Sequence, residues 1–107
     1  MSIQRSLRAA VLVSAAFLVA ACERPAAVEV ADGATLAQEK GCVACHGLNG
    51  KGTAPTFPNL GGQWPTYLHK QLVKYRSGER ENAIMAGQAE NLSDREIAVL
   101  ARYYAQQ

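Results

Sequence analysis

A helical pattern in the middle of the chain begins at Pro65, a residue well suited to the first position of a helix. Leu68, Leu72 and Tyr75 follow at i, i+4 and i+7, so one face of this segment is apolar. Gly78 is placed to stop the helix. The spacing therefore predicts an amphipathic helix from Pro65 to about Gly78.

A second helical pattern, near the end of the chain, has a well-defined start. Ser93 and Glu96 have the spacing of a capping box, and Leu92 and Ile97 are placed as its hydrophobic staple. The buried stripe of this helix is predicted to consist of Ile97, Leu100, Ala101 and Tyr104.

A shorter helix is predicted from about Ala34 to Lys40, with Asp32 as its N-cap and Gly41 as its stop. The segment 47–62 carries five glycines and two prolines and is predicted to be an irregular loop. No run of useful length has the period of a strand. The predicted fold class is therefore all-α, with three main helices joined by loops.

Residues 1–21 have the features of an export signal. Arg5 and Arg8 precede AAVLVSAAFLVAA, a run of thirteen residues in which Ser14 is the one polar member. This run is too short to span a bilayer as a helix of the mature protein. A buried core helix is the alternative, but an apolar run at the extreme terminus with basic residues only upstream favours export.

The sequence LVAACER at the end of this segment resembles the lipobox of bacterial lipoproteins, in which cleavage precedes a cysteine that is then acylated. Cys22 would then be the first mature residue and the lipidation site. Ordinary cleavage that leaves Cys22 as a free thiol is the alternative, but such a thiol would have no obvious disulfide partner. Residues 22–32, which lack a helical apolar stripe, are interpreted as a lipid-anchored tether, and residues 33–107 as the domain.

Composition and charge exclude some functions. Without Arg5 and Arg8, nine basic residues face nine acidic ones, so the mature chain is near neutral. A nucleic-acid-binding protein normally has a basic stripe, which this sequence lacks. The mature domain of about 75 residues is small for a single apolar core, so an additional stabilising group is expected.

Cys42, Cys45 and His46 form the pattern Cys-x-x-Cys-His. A thioredoxin-like redox site would need a strand context, and a closed Cys₂His₂ zinc site that includes His69 fits the spacing poorly. A plain disulfide would leave His46 unexplained. Attachment of a c-type haem accounts for all three residues, because two thiols form thioethers and the adjacent imidazole reaches the iron. Apolar residues expected to pack on this covalent haem c are Phe57, Leu60, Leu68, Leu72 and Ile97.

The motif CxxCHG, the segments FPNLGGQ and YLHKQL, a methionine after GERENAI and a final amphipathic helix that ends in tyrosines together resemble a class I cytochrome c. The resemblance covers about Gly33 to Ala105 and is closest to the small bacterial cytochrome c-553 type and to single domains of its diheme relatives. It implies the class I fold, in which helices and loops wrap around one covalent haem. A diheme protein would need a second CxxCH motif, and this chain has one.

The resemblance implies a methionine as the sixth iron ligand, and Met85 is the one methionine outside the export signal. Met85 is expected in a Gly- and Asn-containing loop rather than on a helix face. A methionine that simply fills the core is the alternative interpretation. His69 is the competing ligand, but it lies one residue off the Leu68/Leu72 face, which predicts a solvated side chain.

Four further residues are implied at the haem. Pro58 matches the family proline whose carbonyl accepts the Nδ1 proton of the haem histidine, and an ordinary loop proline is the alternative. Gln63, Trp64 and Arg80 are candidate hydrogen-bond donors to the haem propionates, by resemblance and by donor chemistry, or else surface residues.

With both axial positions filled by protein, the iron has no open site for a substrate, which predicts one-electron transfer rather than catalysis. The expected protein is a monomeric carrier in a periplasmic respiratory chain, which exchanges electrons with redox proteins and reaches the membrane through Cys22, or is soluble in the periplasm without acylation. One alternative is a haem subunit docked to a periplasmic dehydrogenase; the other, if Met85 leaves the iron, is a haem-based sensor or peroxidase-like enzyme. A large flat apolar patch around Leu48, Ala54 and Phe57 would favour docking.

Overall fold

The computed structural model describes residues 26–107. All regular structure in this part of the chain is helical: α1 (Ala26–Glu39), α2 (Val43–His46), α3 (Pro65–Ser77), α4 (Ala83–Ala89) and α5 (Asp94–Ala105). The predicted all-α fold class is confirmed. The predicted export signal, residues 1–21, and Cys22 lie outside the described residues. Within residues 26–107, no helix combines the length and the apolar character needed to cross a membrane.

Helices α1 and α5 pack against each other, and α5 also packs against α3. The contact between α1 and α5 depends on Gly33, because a Cβ atom there would lie 2.5 Å from the Cβ atom of Tyr103. Two carbon atoms in favourable contact are about 3.5–4.0 Å apart. Ala37, one turn further along α1, is fully buried. Small residues at these two positions therefore let the helix backbones approach closely.

Helix α3 has the predicted bounds. Pro65 occupies its first turn, and Gly78 adopts the left-handed conformation at its end, with φ 79°. Leu68 is buried, and Leu72 and Tyr75 are partly buried against the core. The predicted apolar face is thus the face that packs.

The capping box of α5 is present as predicted. Ser93 Oγ accepts from the Glu96 N–H at 3.1 Å, and the Ser93 N–H donates to Glu96 Oε2 at 2.9 Å. The staple residues Leu92 and Ile97 are both buried. The predicted stripe of α5 is buried as well, and Tyr103 widens it, because α5 packs against α1 on one side and α3 on another.

The start of α1 differs from the prediction. The helix begins at Ala26 rather than near Ala34, and Asp32 lies inside it rather than at its N-cap. The described part of the interpreted tether, residues 26–32, is therefore helical, and its backbone rises about 1.5 Å per residue instead of the roughly 3.3 Å of an extended chain. The segment lacks an apolar stripe, but alanine and glutamate have good helix propensity and prolong a helix that is already packed on α5.

Two short helices, α2 and α4, lie in segments for which the sequence predicted only turns and loops. Helix α4 packs on α3, and the side chain of Asn82 caps it by accepting from the Met85 N–H. A Cβ atom at Gly87 would meet no atom within 4 Å, so this glycine serves neither a turn nor a close contact. The predicted loop around Met85 is wrong, because its asparagine is an N-cap and its glycine is tolerated inside a helix.

Candidate cofactor site

Two adjoining cavities lie between the helices and the loop 47–62, and we refer to them together as the crevice. The leucine cavity, of about 80 Å³, has a lining that includes Leu60, Leu68, Leu72, Tyr75, Leu92, Leu100, Ala101 and Tyr104. The loop cavity, of about 330 Å³, has a lining that includes Cys45, Thr56, Phe57, Pro58, Asn82 and Ile84. Cys42, His46, Met85 and Gln88 line both cavities.

Four of the five apolar residues predicted to pack on a haem line the crevice: Phe57, Leu60, Leu68 and Leu72. The prediction for Ile97 is wrong, because this residue is fully buried in the helical core. Helical spacing places Ile97 on the same side of α5 as Leu100, but only packing decides which of them meets a neighbouring helix and which meets the crevice.

Helix α2 holds the Cys-x-x-Cys-His motif on a single turn. Gly47, with φ 71°, ends this helix in a backbone conformation that residues with a side chain rarely adopt. Thr53 then returns to the end of α2, where its N–H donates to the Cys45 carbonyl at 2.9 Å and its hydroxyl to the Ala44 carbonyl at 2.8 Å. These bonds satisfy carbonyls that a one-turn helix leaves without partners.

Cys42 and Cys45 are both free thiols with partly buried side chains. Cys42 lines both cavities, and Cys45 lines the loop cavity. Burial raises the pKa of the Cys42 thiol above its ordinary value, so this thiol is neutral at physiological pH. Two thiols on one turn beside an apolar cavity suit thioether attachment of a haem.

His46 is buried, with 7% exposure, and its Nδ1 lies 2.9 Å from the Pro58 carbonyl oxygen. Because a carbonyl can only accept a hydrogen bond, Nδ1 is the donor in this contact, and Nε2 is the ring nitrogen left for a metal. A hydrogen bond of this kind also fixes the orientation of the ring. The contact between His46 and Pro58 is the one that the family resemblance implies.

Met85 lies on α4, is partly buried, and lines both cavities together with His46. Its thioether is a soft donor of the kind that completes the coordination of haem iron in many cytochromes. The structure thus brings Cys42, Cys45, His46 and Met85 to one crevice. Cys42 lies in the turn between α1 and α2, Cys45 and His46 lie on α2, and Met85 lies on α4.

The three candidate propionate donors do not line the crevice. Gln63 and Trp64 are exposed, Trp64 by 76%, and Gln63 Oε1 accepts from the Trp64 N–H at 2.8 Å. Arg80 is also exposed, but it donates to Gln71 Oε1 at 2.8 Å, and its guanidinium lies 4.8 Å from the centre of the Tyr75 ring. Since Gln71 and Tyr75 line the leucine cavity, Arg80 lies next to the crevice. A role of these donors at haem propionates stays a prediction.

His69 is exposed on α3 and lines a separate surface groove with Arg102, so it lies apart from the crevice. This position agrees with the solvated side chain predicted for it. Among the side chains that the structure describes, no group of three or more His, Cys, Asp or Glu residues is placed to hold a metal ion.

Sequence reasoning missed how α5 holds the loop that follows His46. Tyr104 OH donates to the Gly47 carbonyl at 3.1 Å, and Tyr103 OH donates to the Leu48 carbonyl. Burial raises the pKa of Tyr104 well above its ordinary value, so its hydroxyl stays protonated and can donate. Tyr104 also meets His46 edge-on, with the ring centres 6.4 Å apart. The tyrosines at the end of α5 were visible in the sequence, but their partners were not.

Gln71 and Gln88 bring amide groups to the mostly apolar leucine cavity, and neither was predicted there. Gln71 follows Leu68 by three residues, a spacing that puts both side chains on one side of α3. This spacing is the sequence feature that could have predicted Gln71 in the cavity. No such feature exists for Gln88, because the segment that contains it was predicted to be a loop.

Comparison with known proteins agrees with this geometry. The sequence pattern of the family described as cytochrome c matches residues 30–106. Cytochrome c-554(548) of Halomonas halodenitrificans is 49% identical over 69 residues, which span 62% of this chain and 83% of that protein. The thiosulfate dehydrogenase electron acceptor of Thiomonas intermedia is 43% identical over 65 residues, which span 60% of this chain and 30% of that protein.

A solved structure of cytochrome c4 from Acidithiobacillus ferrooxidans superposes with a TM-score of 0.68 at 28% identity, and the match covers 74% of this chain and 49% of that one. The chain therefore spans most of one relative but half or less of the longer ones. The shared part is the helical domain that contains the crevice.

The crevice fits a covalent haem c. It offers two thiols on one turn, an imidazole whose Nδ1 is bonded to Pro58 so that Nε2 is the nitrogen left for a metal, and a thioether, within a lining that is mostly apolar. The family match and this set of donors agree on the attachment residues. The chain thus belongs to the cytochrome c family, as an electron-transfer protein that carries haem c through Cys42 and Cys45.

Proposed function

We propose that this protein is a one-electron carrier whose haem iron is ligated by His46 and Met85. The observation that carries this proposal is that both side chains line the same two cavities as Cys42, with the Nδ1 of His46 bonded to Pro58. Haem c, when bound, supplies an iron that cycles between Fe(III) and Fe(II). If His46 and Met85 both held the iron, no coordination position would remain for a substrate, which supports electron transfer over catalysis.

The residues around the site support a high reduction potential. The Pro58 carbonyl holds the Nδ1 proton of His46 and so orients the ring. Apolar side chains such as Leu68 and Leu72 exclude water, and a site of low polarity disfavours the extra positive charge of Fe(III). A thioether from Met85 favours Fe(II) as well. A carrier of this kind suits a position late in a respiratory chain.

Replacement of Met85 by alanine tests the axial ligand. Met85→Ala should keep its haem, because attachment depends on Cys42 and Cys45, but it should lose the near-infrared methionine-to-iron band and much of the high potential. His69→Ala is a matched control, since His69 is exposed and lies outside the crevice. Its spectrum and potential should equal those of the wild type. A Met85→Ala potential equal to the wild-type value would contradict the proposal.

Acylation of Cys22 would attach this domain to the periplasmic side of a membrane. The sequence LVAAC supports acylation, and bacterial cytochromes c are typically periplasmic. One acyl chain binds a membrane only marginally, but the several chains of a lipoprotein would make attachment stable. Because residues 26–32 are helical rather than extended, they rise about 1.5 Å instead of roughly 3.3 Å per residue, so the domain would lie closer to the membrane surface than an extended tether would allow.

Fractionation of cells tests the attachment. The wild-type protein should sediment with membranes, whereas Cys22→Ser in the intact precursor should release a red haem protein into the soluble periplasm. A wild-type protein that is already soluble and has an unmodified N-terminus would contradict the proposal.

A second candidate function is that of an electron acceptor bound to a dehydrogenase. The relative from Thiomonas intermedia supports it, and so does Ile84, which lines the loop cavity and is 63% exposed. An apolar side chain at the opening of a redox site suits contact with another protein. The apolar patch around Leu48, Ala54 and Phe57, which would favour docking if it were large, is small, because Leu48 is half exposed but Ala54 and Phe57 are partly buried. Stable co-purification with a dehydrogenase would favour this second role over a free carrier.

A further inference from the structure

Asn82 lies immediately before α4 and binds the first turn of this helix through both of its oxygen atoms. Its side-chain Oδ1 accepts from the Met85 N–H at 2.9 Å, and its backbone carbonyl accepts from the Ala86 N–H at 2.8 Å. The backbone of Asn82 is extended, with φ −166° and ψ 116°, as is usual for an N-cap residue. The side-chain bond therefore ends on the backbone of the proposed iron ligand itself.

The side chain of a methionine fixes the position of its own sulfur only weakly, so other contacts must hold it in place. A methionine side chain has three rotatable bonds and few rotamer restrictions of its own. Helix α4 has only 7 residues, and a helix of this length does not persist without caps and tertiary contacts. At its C-terminal end Ala89 is fully buried, whereas its N-terminal end is exposed and is held by Asn82. The cap thus stabilises the end of the helix that carries Met85.

We propose that Asn82 is a positioning residue for Met85, which keeps the thioether at the iron by fixing the first turn of α4. This inference rests on the proposed axial role of Met85. Loss of the cap allows the first turn to open, and Met85 then leaves the iron more often. An external ligand such as imidazole competes with Met85 for the same position, so its affinity reports how firmly the thioether is held.

The test uses the haem-loaded protein and a set of variants at two helix caps. Asn82→Ala removes the oxygen that accepts from Met85, whereas Asn82→Asp and Asn82→Ser keep an acceptor at the same position. Ser93→Ala is the matched control, because Ser93 caps α5 with the same type of bond, at 3.1 Å, and lines neither cavity. Three quantities are measured for each variant. They are the imidazole affinity of the ferric protein, the intensity of the near-infrared methionine-to-iron band and the midpoint of denaturant unfolding.

Asn82→Ala is expected to bind imidazole about fivefold more tightly than the wild type, the factor that corresponds to the loss of one N-cap, and to show a weaker band. Asn82→Ser, which keeps a neutral acceptor at the cap, should restore both values to within twofold of the wild type. Ser93→Ala should lower the unfolding midpoint and leave both values unchanged. If Asn82→Ala does not accumulate with haem, Asn82→Gly, whose capping loss is smaller, should show the same change to a smaller extent.

Two results would overturn the inference while the axial role of Met85 stands. One is a wild-type protein with the methionine band and an Asn82→Ala variant with unchanged imidazole affinity. The other is an equal rise in affinity for Ser93→Ala, which would mean that imidazole reports global stability alone. A wild-type protein without the band would instead overturn the axial role of Met85, and the positioning role of Asn82 with it.

Discussion

His46 is positioned by residues that are distant from it in sequence. Its bond to Pro58 spans 12 residues of the sequence. The bonds that hold the next two carbonyls, from Tyr103 to Leu48 and from Tyr104 to Gly47, span 55 and 57 residues. The spacing of Cys42, Cys45 and His46 alone was sufficient to predict the attachment chemistry. The tyrosine anchors were not predicted, because a single sequence shows which residues are neighbours along the chain but not which hydroxyl reaches which carbonyl.

Tyr104→Phe should destabilise the haem-loaded protein by about 1 kcal/mol, because it removes the bond to Gly47 and keeps the ring. Denaturant unfolding measures this change, and Tyr67→Phe is the control, since Tyr67 is exposed on α3 and lines neither cavity. Equal effects of the two substitutions would contradict the anchoring role.

Tyr104→Phe also tests a prediction about how stability depends on pH. Burial raises the pKa of Tyr104 above its ordinary value of 10.0, so the folded protein binds the phenolic proton more tightly than the unfolded chain does. The stabilisation of the folded protein by this bound proton is fully present below pH 10 and is lost as the pH rises above 10. Stability of the wild type should therefore fall more steeply above pH 10 than that of Tyr104→Phe.

Helix bounds were predictable where local chemistry sets them. The capping box starts α5, and Pro65 and Gly78 delimit α3, so the sequence sufficed for both. The start of α1 and the whole of α4 were not predicted, since neither has an apolar stripe that stands out from its surroundings. Helix α4 is stabilised by packing on α3, and the start of α1 prolongs a helix that packs on α5.

Gly33→Ala should weaken the contact between α1 and α5. The added Cβ would lie 2.5 Å from Cβ and 2.9 Å from Cγ of Tyr103, so the helices must separate. We expect a loss of about 1–3 kcal/mol, as for other overpacked sites, measured by denaturant unfolding. Gly87→Ala is the control, because its Cβ would meet no atom within 4 Å and alanine is the better helix former. It should leave stability unchanged or raise it by up to about 1 kcal/mol.

At the scale of the whole molecule, the apolar core is small and half of it faces the crevice. Leu68, Leu92 and Leu100 belong to the buried cluster and also line the leucine cavity. Without a haem, these side chains would border water or collapse onto one another. The covalent cofactor is therefore the additional stabilising group that the size of the domain led us to expect.

The double variant Cys42→Ala, Cys45→Ala should give an apo-protein that is largely unfolded, because neither thioether can form and the core is too small alone. Far-ultraviolet circular dichroism measures the loss of helix. Cys22→Ser is the control, since it removes a thiol outside the CxxCH motif and should keep the helical signal. A helical signal close to that of the wild type in the double variant would refute this prediction.

The sequence by itself determined the covalent chemistry, the all-α class, the bounds of α3 and the start of α5. These properties are local, because motif spacing, helical period and capping all act within a few residues. Only the tertiary structure decided that Met85 lies on a capped helix, that Ile97 meets the core rather than the crevice, and that Tyr104 holds the Gly47 carbonyl. These contacts depend on how side chains of distant segments fill one volume, and no short window of sequence contains that information.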